Sequence, residues 1–167
     1  MSHYQELIES LHQAQSELKK YEEECRQFAR SLVDGYQSFL ECPADAITCH
    51  PTSLSYMSTP HQPEDALELD SDTFWHFIVA VHLENNGDPL SPVIIQNFMI
   101  KKEDDYFLAK LAEYDELFRF ESVEAKFDDF YHTIFTKKKN EIRKSFQDFL
   151  NGKYEELPDY LAEYALY

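Results

Sequence analysis

Two histidines sit six residues apart in the stretch DTFWHFIVAVHLEN, Asp72 to Asn85. Imidazole suits proton transfer near neutral pH and is a frequent metal ligand, so His76 and His82 are the first residues to weigh. Every second position around them is apolar: Trp75, Phe77, Val79, Val81 and Leu83. The alternate set is Phe74, His76, Ile78, Ala80, His82 and Glu84. A period of two predicts a β-strand with both histidines on its wetter face. They stand roughly 20 Å apart along such a strand and cannot share a metal ion. Each is left as a lone base, and a small enzyme built on this chain would use one such as His76 in a pocket.

Cys42, Cys49, His50 and His61 are the nearest approach to a metal cluster. Zinc is held by four ligands, usually supplied as close pairs such as C-x-x-C. The Cys42–Cys49 spacing makes no such pair, and neighbours such as Cys49 and His50 seldom both ligate. Cys25 falls in a helical apolar seam and reads as core rather than nucleophile. The only glycines, Gly35, Gly87 and Gly152, cannot build a phosphate-binding loop, and no G-x-S-x-G elbow occurs. Carboxylate pairs are common in so acidic a chain, and none is singled out by its spacing. The residues thus assign no catalytic, cofactor-binding or metal site.

Charge carries more information. The chain has 167 residues and a formal net charge of −17. No Lys or Arg occurs from Ser31 to Ile100, a stretch that holds Asp34, Glu41, Asp45, Glu64, Asp65, Glu68, Asp70, Asp72, Glu84 and Asp88. Such a field repels phosphate backbones and argues against direct nucleic-acid binding. It attracts a basic protein partner, and it also serves solubility, as acidic surfaces do for bacterial and phage proteins. Glu64, Asp65, Glu68, Asp70 and Asp72 cluster with no interleaved cation and are candidate partner contacts. Glu17, Glu22, Glu23 and Glu24 neighbour Lys19, Lys20 and Arg26, which partly neutralise them at helical spacings. Tyr160, Tyr164 and Tyr167 lie among acids at the C-terminal end and are further candidates, because tyrosine suits interfaces.

These residues must be positioned by a small set of elements. Leu7, Leu11, Ala14, Leu18, Tyr21, Cys25, Phe28 and Leu32 alternate by four and three. That is a heptad seam on one helix from Tyr4 to Glu41, roughly 57 Å long. A compact domain is shorter, so part of the helix projects or finds a partner. Tyr21 and Cys25 are poor seam residues, which favours packing against the chain's other long helix over a strong parallel zipper. A kink or end is expected near Asp34–Gly35. Cys42-Pro43 stops the helix. Pro43 to Asp72 reads as a long acidic loop, with short strands at Ile47–Cys49 and Leu67–Leu69. The histidine strand, the turn ENNGDP, PVIIQNFMIKK, the turn EDD, YFLAKLAEY and ELFRFE then form an antiparallel meander. Ser122 to Leu150 returns to helix with Ser122 as its cap. The aromatics Phe127, Phe130, Tyr131 and Phe135 read as core, with Ile134 among them. KKKNEIRK, Lys137 to Lys144, is the one dense basic patch. Asn151-Gly152 signals the helix end, and a short acidic helix follows near Pro158.

The fold expected is α+β: a long N-terminal helix, an antiparallel meander of three or four strands, and a long C-terminal helix packed on the Trp75/Phe77/Val79 face. Its parts are residues 1–42, 43–121 and 122–167 of a single domain. The polar N-terminus lacks a signal-peptide layout, no run is long and apolar enough for a membrane span, and the odd cysteine count fits a reducing, cytoplasmic setting. In size, acidity and element order the chain resembles small bacterial secretion chaperones and acidic inhibitors that mimic DNA, by class and not by motif. The leading expectation is a non-enzymatic acidic regulator or inhibitor. It would engage a basic partner, such as a nucleic-acid enzyme or toxin, and occlude its anionic-ligand surface. The alternatives are a chaperone or adaptor dimerising through the N-terminal helix, and the small histidine enzyme.

Overall fold

The computed structural model describes residues 2–83 and 92–153. Helix α1 runs from His3 to Leu40. Ser2 closes its first turn. The Ser2 hydroxyl accepts from the Gln5 backbone, and the Gln5 side chain accepts from the Ser2 N–H, a reciprocal cap. Glu41, in the left-handed region at φ 52°, ends the helix, and Pro43 prevents its continuation. The helix end expected near Asp34–Gly35 is absent. Gly35 marks a close approach instead: a Cβ there would overlap the Tyr131 hydroxyl, which donates to the Leu32 carbonyl at 2.7 Å.

Strands β1 (Ile47–His50), β2 (Glu68–Leu69), β3 (Trp75–His82), β4 (Val93–Glu103), β5 (Tyr106–Leu111) and β6 (Phe118–Phe120) form one antiparallel sheet. The order is β1-β3-β4-β5-β6, with β2 also on β3. Six strands replace the expected three or four. The expectation counted only the meander, β3 to β6. The two short apolar stretches upstream join it because they pair end to end along the open edge of β3. The segment from Pro43 to Asp72 is therefore not one loop. It holds β1, β2 and 3-10 turns at Ala44–Ala46 and Pro63–Asp65. Asp104 and Asp105 turn β4 into β5, with Asp104 at φ 48°. Asp tolerates that conformation, which a two-residue hairpin needs. The residues of the expected ENNGDP turn lie outside those described.

Helix α2 spans Asp128–Leu150. Its expected start at Ser122 is wrong by more than a turn. Ser122 instead accepts from the Glu124 N–H in a local turn. Residues 121–127 are spent crossing from the sheet to the helix layer, ending at Phe127, which packs 4.9 Å from Phe120 between ring centroids. Asp128 and Asp129 then suit the positive end of the helix dipole.

Both helices cover the Trp75/Phe77/Val79 face. Phe77, Val79 and Val81 of β3 share one buried cluster with Phe98, Phe107, Phe28, Leu32, Tyr36, Phe130 and Ile134. Phe28 stacks on Phe107 at 4.5 Å, and Phe130 meets Phe98 and Phe118 edge-on. Such ring pairs add about 0.5–1.5 kcal/mol each beyond their buried area. Along α1, Phe28 touches Phe127, Tyr36 touches Tyr131, and Phe39 touches His132 and Phe135. Contacts advance together on the two helices, so α1 and α2 run parallel. The N-terminal half of α1 extends past the contacts of Tyr21 with Trp75 and Glu24 with Lys102 and stays exposed.

Candidate functional site

The heptad seam of α1 divides in two. Cys25, Phe28 and Leu32 are fully buried in the chain's own core. Leu7, Leu11 and Leu18 are 70%, 57% and 52% exposed. From His3 to Lys20 every residue is exposed except the half-buried Ile8. Counting from the packed half, Leu11 and Leu18 hold a positions, and Leu7 and Ala14 hold d positions. Ile8 and Gln15 then stand at e, Ser10 and Glu17 at g, and Glu22 at the next e. The arm thus presents an apolar stripe bordered by acid at its base. Among the described residues none of Glu17, Glu22, Glu23 and Glu24 forms an ion pair with Lys19, Lys20 or Arg26. Arg26 faces Asp65 instead, Glu24 pairs with Lys102 of β4, and Glu17 and Glu23 accept from Gln13 and Gln27.

The five loop acids are not a bare cluster. Glu64 pairs with Arg30 at 2.9 Å and Asp65 with Arg26 at 3.5 Å. The cations missing from the local sequence arrive from α1, which lies alongside the Pro63–Asp65 turn. Glu68 accepts from Thr52 and from the Ser53 backbone and side chain. Burial raises its pKa, but these donors outweigh burial and the net effect is a lowered value. Asp70 accepts from the Ser71 N–H. Asp72 accepts from the Phe74 N–H and meets His76 Nε2 at 2.8 Å. Its small desolvation is likewise outweighed, and its pKa falls. Tyr160, Tyr164 and Tyr167 lie outside the described residues.

The histidines occupy the sheet face away from the helices, as their alternation implies. His76 is bound to Asp72. Asp70, Asp72 and His76 present ligand atoms within 4.8 Å of one another. Both acids are exposed, and among the described residues these three ligands at the surface are all this corner offers a cation. His82 Nε2 and His50 Nε2 each lie 2.9 Å from the Thr48 hydroxyl, and His50 Nδ1 lies 3.3 Å from the Ser58 hydroxyl. One consistent assignment has Ser58 donate to His50, His50 to Thr48 and Thr48 to His82, with the His50 ring neutral. Burial, then the neighbouring His61 and His82, pull the His50 pKa down accordingly.

Cys49 and His50 point to opposite faces of β1, so no zinc site assembles there. The Cys49 thiol is buried in the core and its pKa is pushed up to about 12, mainly by desolvation. Cys25 is likewise pushed up to about 11 by burial. Both stay thiols, since nucleophilic cysteine needs the opposite shift.

One lined space was not expected. Tyr36, Leu40, Val81, Ile94, Gln96 and Ile142 border a cavity of about 330 Å³ between α1, α2 and the sheet. Its polar member, Gln96, occupies an inward position of β4, between Ile94 and Phe98 in the apolar alternation. An amide at an apolar period was the available signal.

Comparison with protein-family models, curated proteins and solved structures finds no match to this chain. Among the described residues no helix is long and apolar enough to cross a membrane.

Proposed function

We propose that this protein is a non-enzymatic protein-binding regulator that engages an amphipathic helix of a basic partner through the α1 arm. The observation that carries the reading is the unpartnered half-seam of Leu7, Leu11, Ala14 and Leu18 on a helix anchored by its other half. Burying each leucine there contributes up to about 1.5–3 kcal/mol. The flanks select the occupant. In a parallel pairing of two copies, Glu17 at g opposes Glu22 at the partner's e, and like charges repel. A helix with Lys or Arg flanking its seam meets no such penalty. The loop acids support contact less well, because Glu64, Asp65, Glu68 and Asp72 already have internal partners.

Sedimentation of the chain, alone and with a synthetic Leu-seamed helical peptide bearing Lys at e and g, tests this. The chain alone should be monomeric and the peptide should bind. Leu11→Asp with Leu18→Asp should abolish binding, and added salt should weaken it. A stable homodimer broken by that double variant would favour the adaptor reading. Binding lost instead when Glu64, Asp65, Glu68, Asp70 and Asp72 become amides would return contact to the loop.

A further inference from the structure

The cavity beneath the parallel helices plays no part in the arm's proposed role. Its volume of about 330 Å³ lies in the lower range of small-molecule sites. Leu40, Val81, Ile94 and Ile142 supply apolar walls. On its buried side Gln96 is 1% exposed. The Gln96 Nε2 donates to the Tyr36 hydroxyl at 3.2 Å. Its Oε1 has no partner among the described residues. That oxygen exposes less than 1 Å² and so faces the surrounding protein, which leaves the cavity walls apolar on this side.

The opening is cationic in a chain of net charge −17. Lys139 and Arg143 are both exposed there. Their neighbours are already engaged: Lys137 pairs with Glu116, and Lys138 with Glu113 and Glu141. Lys139 and Arg143 enter no ion pair among the described residues, although Lys139 lies over the Phe135 ring.

We propose that this cavity binds an amphipathic organic anion. Its apolar chain lies among Leu40, Val81, Ile94 and Ile142. Its carboxylate meets Lys139 and Arg143 at the mouth. The arrangement reads the two ends of a ligand separately, which an apolar void alone cannot do.

Calorimetric titration of the full chain with sodium decanoate, ω-hydroxydecanoate and decanol tests this, each kept below micelle formation. Methyl-resolved NMR locates the guest. The ω-hydroxy acid should bind about ten-fold more weakly than decanoate, because its hydroxyl is buried among apolar walls without a partner. Decanol should bind about ten-fold more weakly than decanoate. Shifts should fall on Leu40, Val81, Ile94 and Ile142. Lys139→Glu with Arg143→Glu changes only exposed side chains. It should weaken both acids by about a hundred-fold and leave decanol unchanged. Ile142→Trp should fill the space and abolish all three. Equal affinity for decanoate and decanol overturns the anion assignment. Absence of binding by all three, binding that survives Ile142→Trp, or shifts confined to the α1 arm overturn the site.

Discussion

The two halves of α1 share one seam and meet opposite fates. Between Tyr21 and Leu40 the seam closes on the sheet, and Phe28 and Leu32 lose all contact with water. Between His3 and Lys20 the same spacing continues past the sheet and stays open. The difference lies in what stands opposite, not in periodicity. Phe107, Phe120 and Phe127 crowd around Phe28, while nothing in the described chain faces Leu7 or Leu11. A heptad repeat announces that a face will be buried. It does not say whether the chain or another molecule does the burying.

That contrast can be broken in measurable ways. Phe28→Ala should lower unfolding free energy by about 3–5 kcal/mol, whereas Leu11→Ala should stay within about 0.5 kcal/mol. Urea denaturation reads both, and comparable losses would erase the distinction. Gly35→Ala comes next. Helix propensity alone predicts a gain of about 1 kcal/mol, but the added Cβ meets the Tyr131 hydroxyl, so a loss of about 1–3 kcal/mol is expected. Tyr131→Phe in the same chain should recover part of it, and strict additivity of the two changes would remove the clash as the cause.

A smaller effect is expected where α1 holds the acidic turn. Arg30→Ala should cost about 0.5–1 kcal/mol, the range for exposed pairs, and Glu64→Gln should reduce that loss. The same arginine change should leave amide exchange in the arm untouched. The smallest effect is acid sensitivity. The folded-state pKa of His50 lies below its ordinary 6.5, so folding favours the neutral ring. Its contribution is whole above pH 6.5 and is lost as pH falls through the lowered folded value. Lowered values at Glu68 and Asp72 act in the same direction below their ordinary 4.5 and 3.8. Exchange at β1 should therefore quicken on mild acidification before exchange in the arm does. Uniform quickening, or faster exchange at higher pH once intrinsic chemistry is corrected, would contradict a neutral His50 ring.

Much of this architecture was legible. Strict alternation around Phe77 and Val79 marked β3 and its covered face, and the threes and fours around Phe130 and Ile134 marked α2. What escaped depended on contacts between distant residues. Gly35 looked like a helix breaker because propensity is local, whereas Tyr131, which needs the space, is far along the chain. Ser122 looked like a cap because capping chemistry is local, whereas burial of Phe127 sets the helix start. Glu64 and Asp65 looked unopposed because Arg26 and Arg30 reach them only after folding. Of the candidate contact surface, the stripe of Leu7, Leu11 and Leu18 was visible in the spacing. That it stays open while Phe28 closes was not.

The exposed N-terminal half of α1 also governs how the molecule moves through solvent. From His3 to Lys20 the exposed part of α1 covers about 27 Å at 1.5 Å per residue. A compact chain of 167 residues has a radius of gyration of about 15 Å. A body that carries a bare helix of that length encounters more friction than a sphere of equal mass. A single copy should therefore leave a gel-filtration column early, at a volume that mimics a dimer. Light scattering, which weighs particles regardless of their shape, should return the mass of one chain from that same peak.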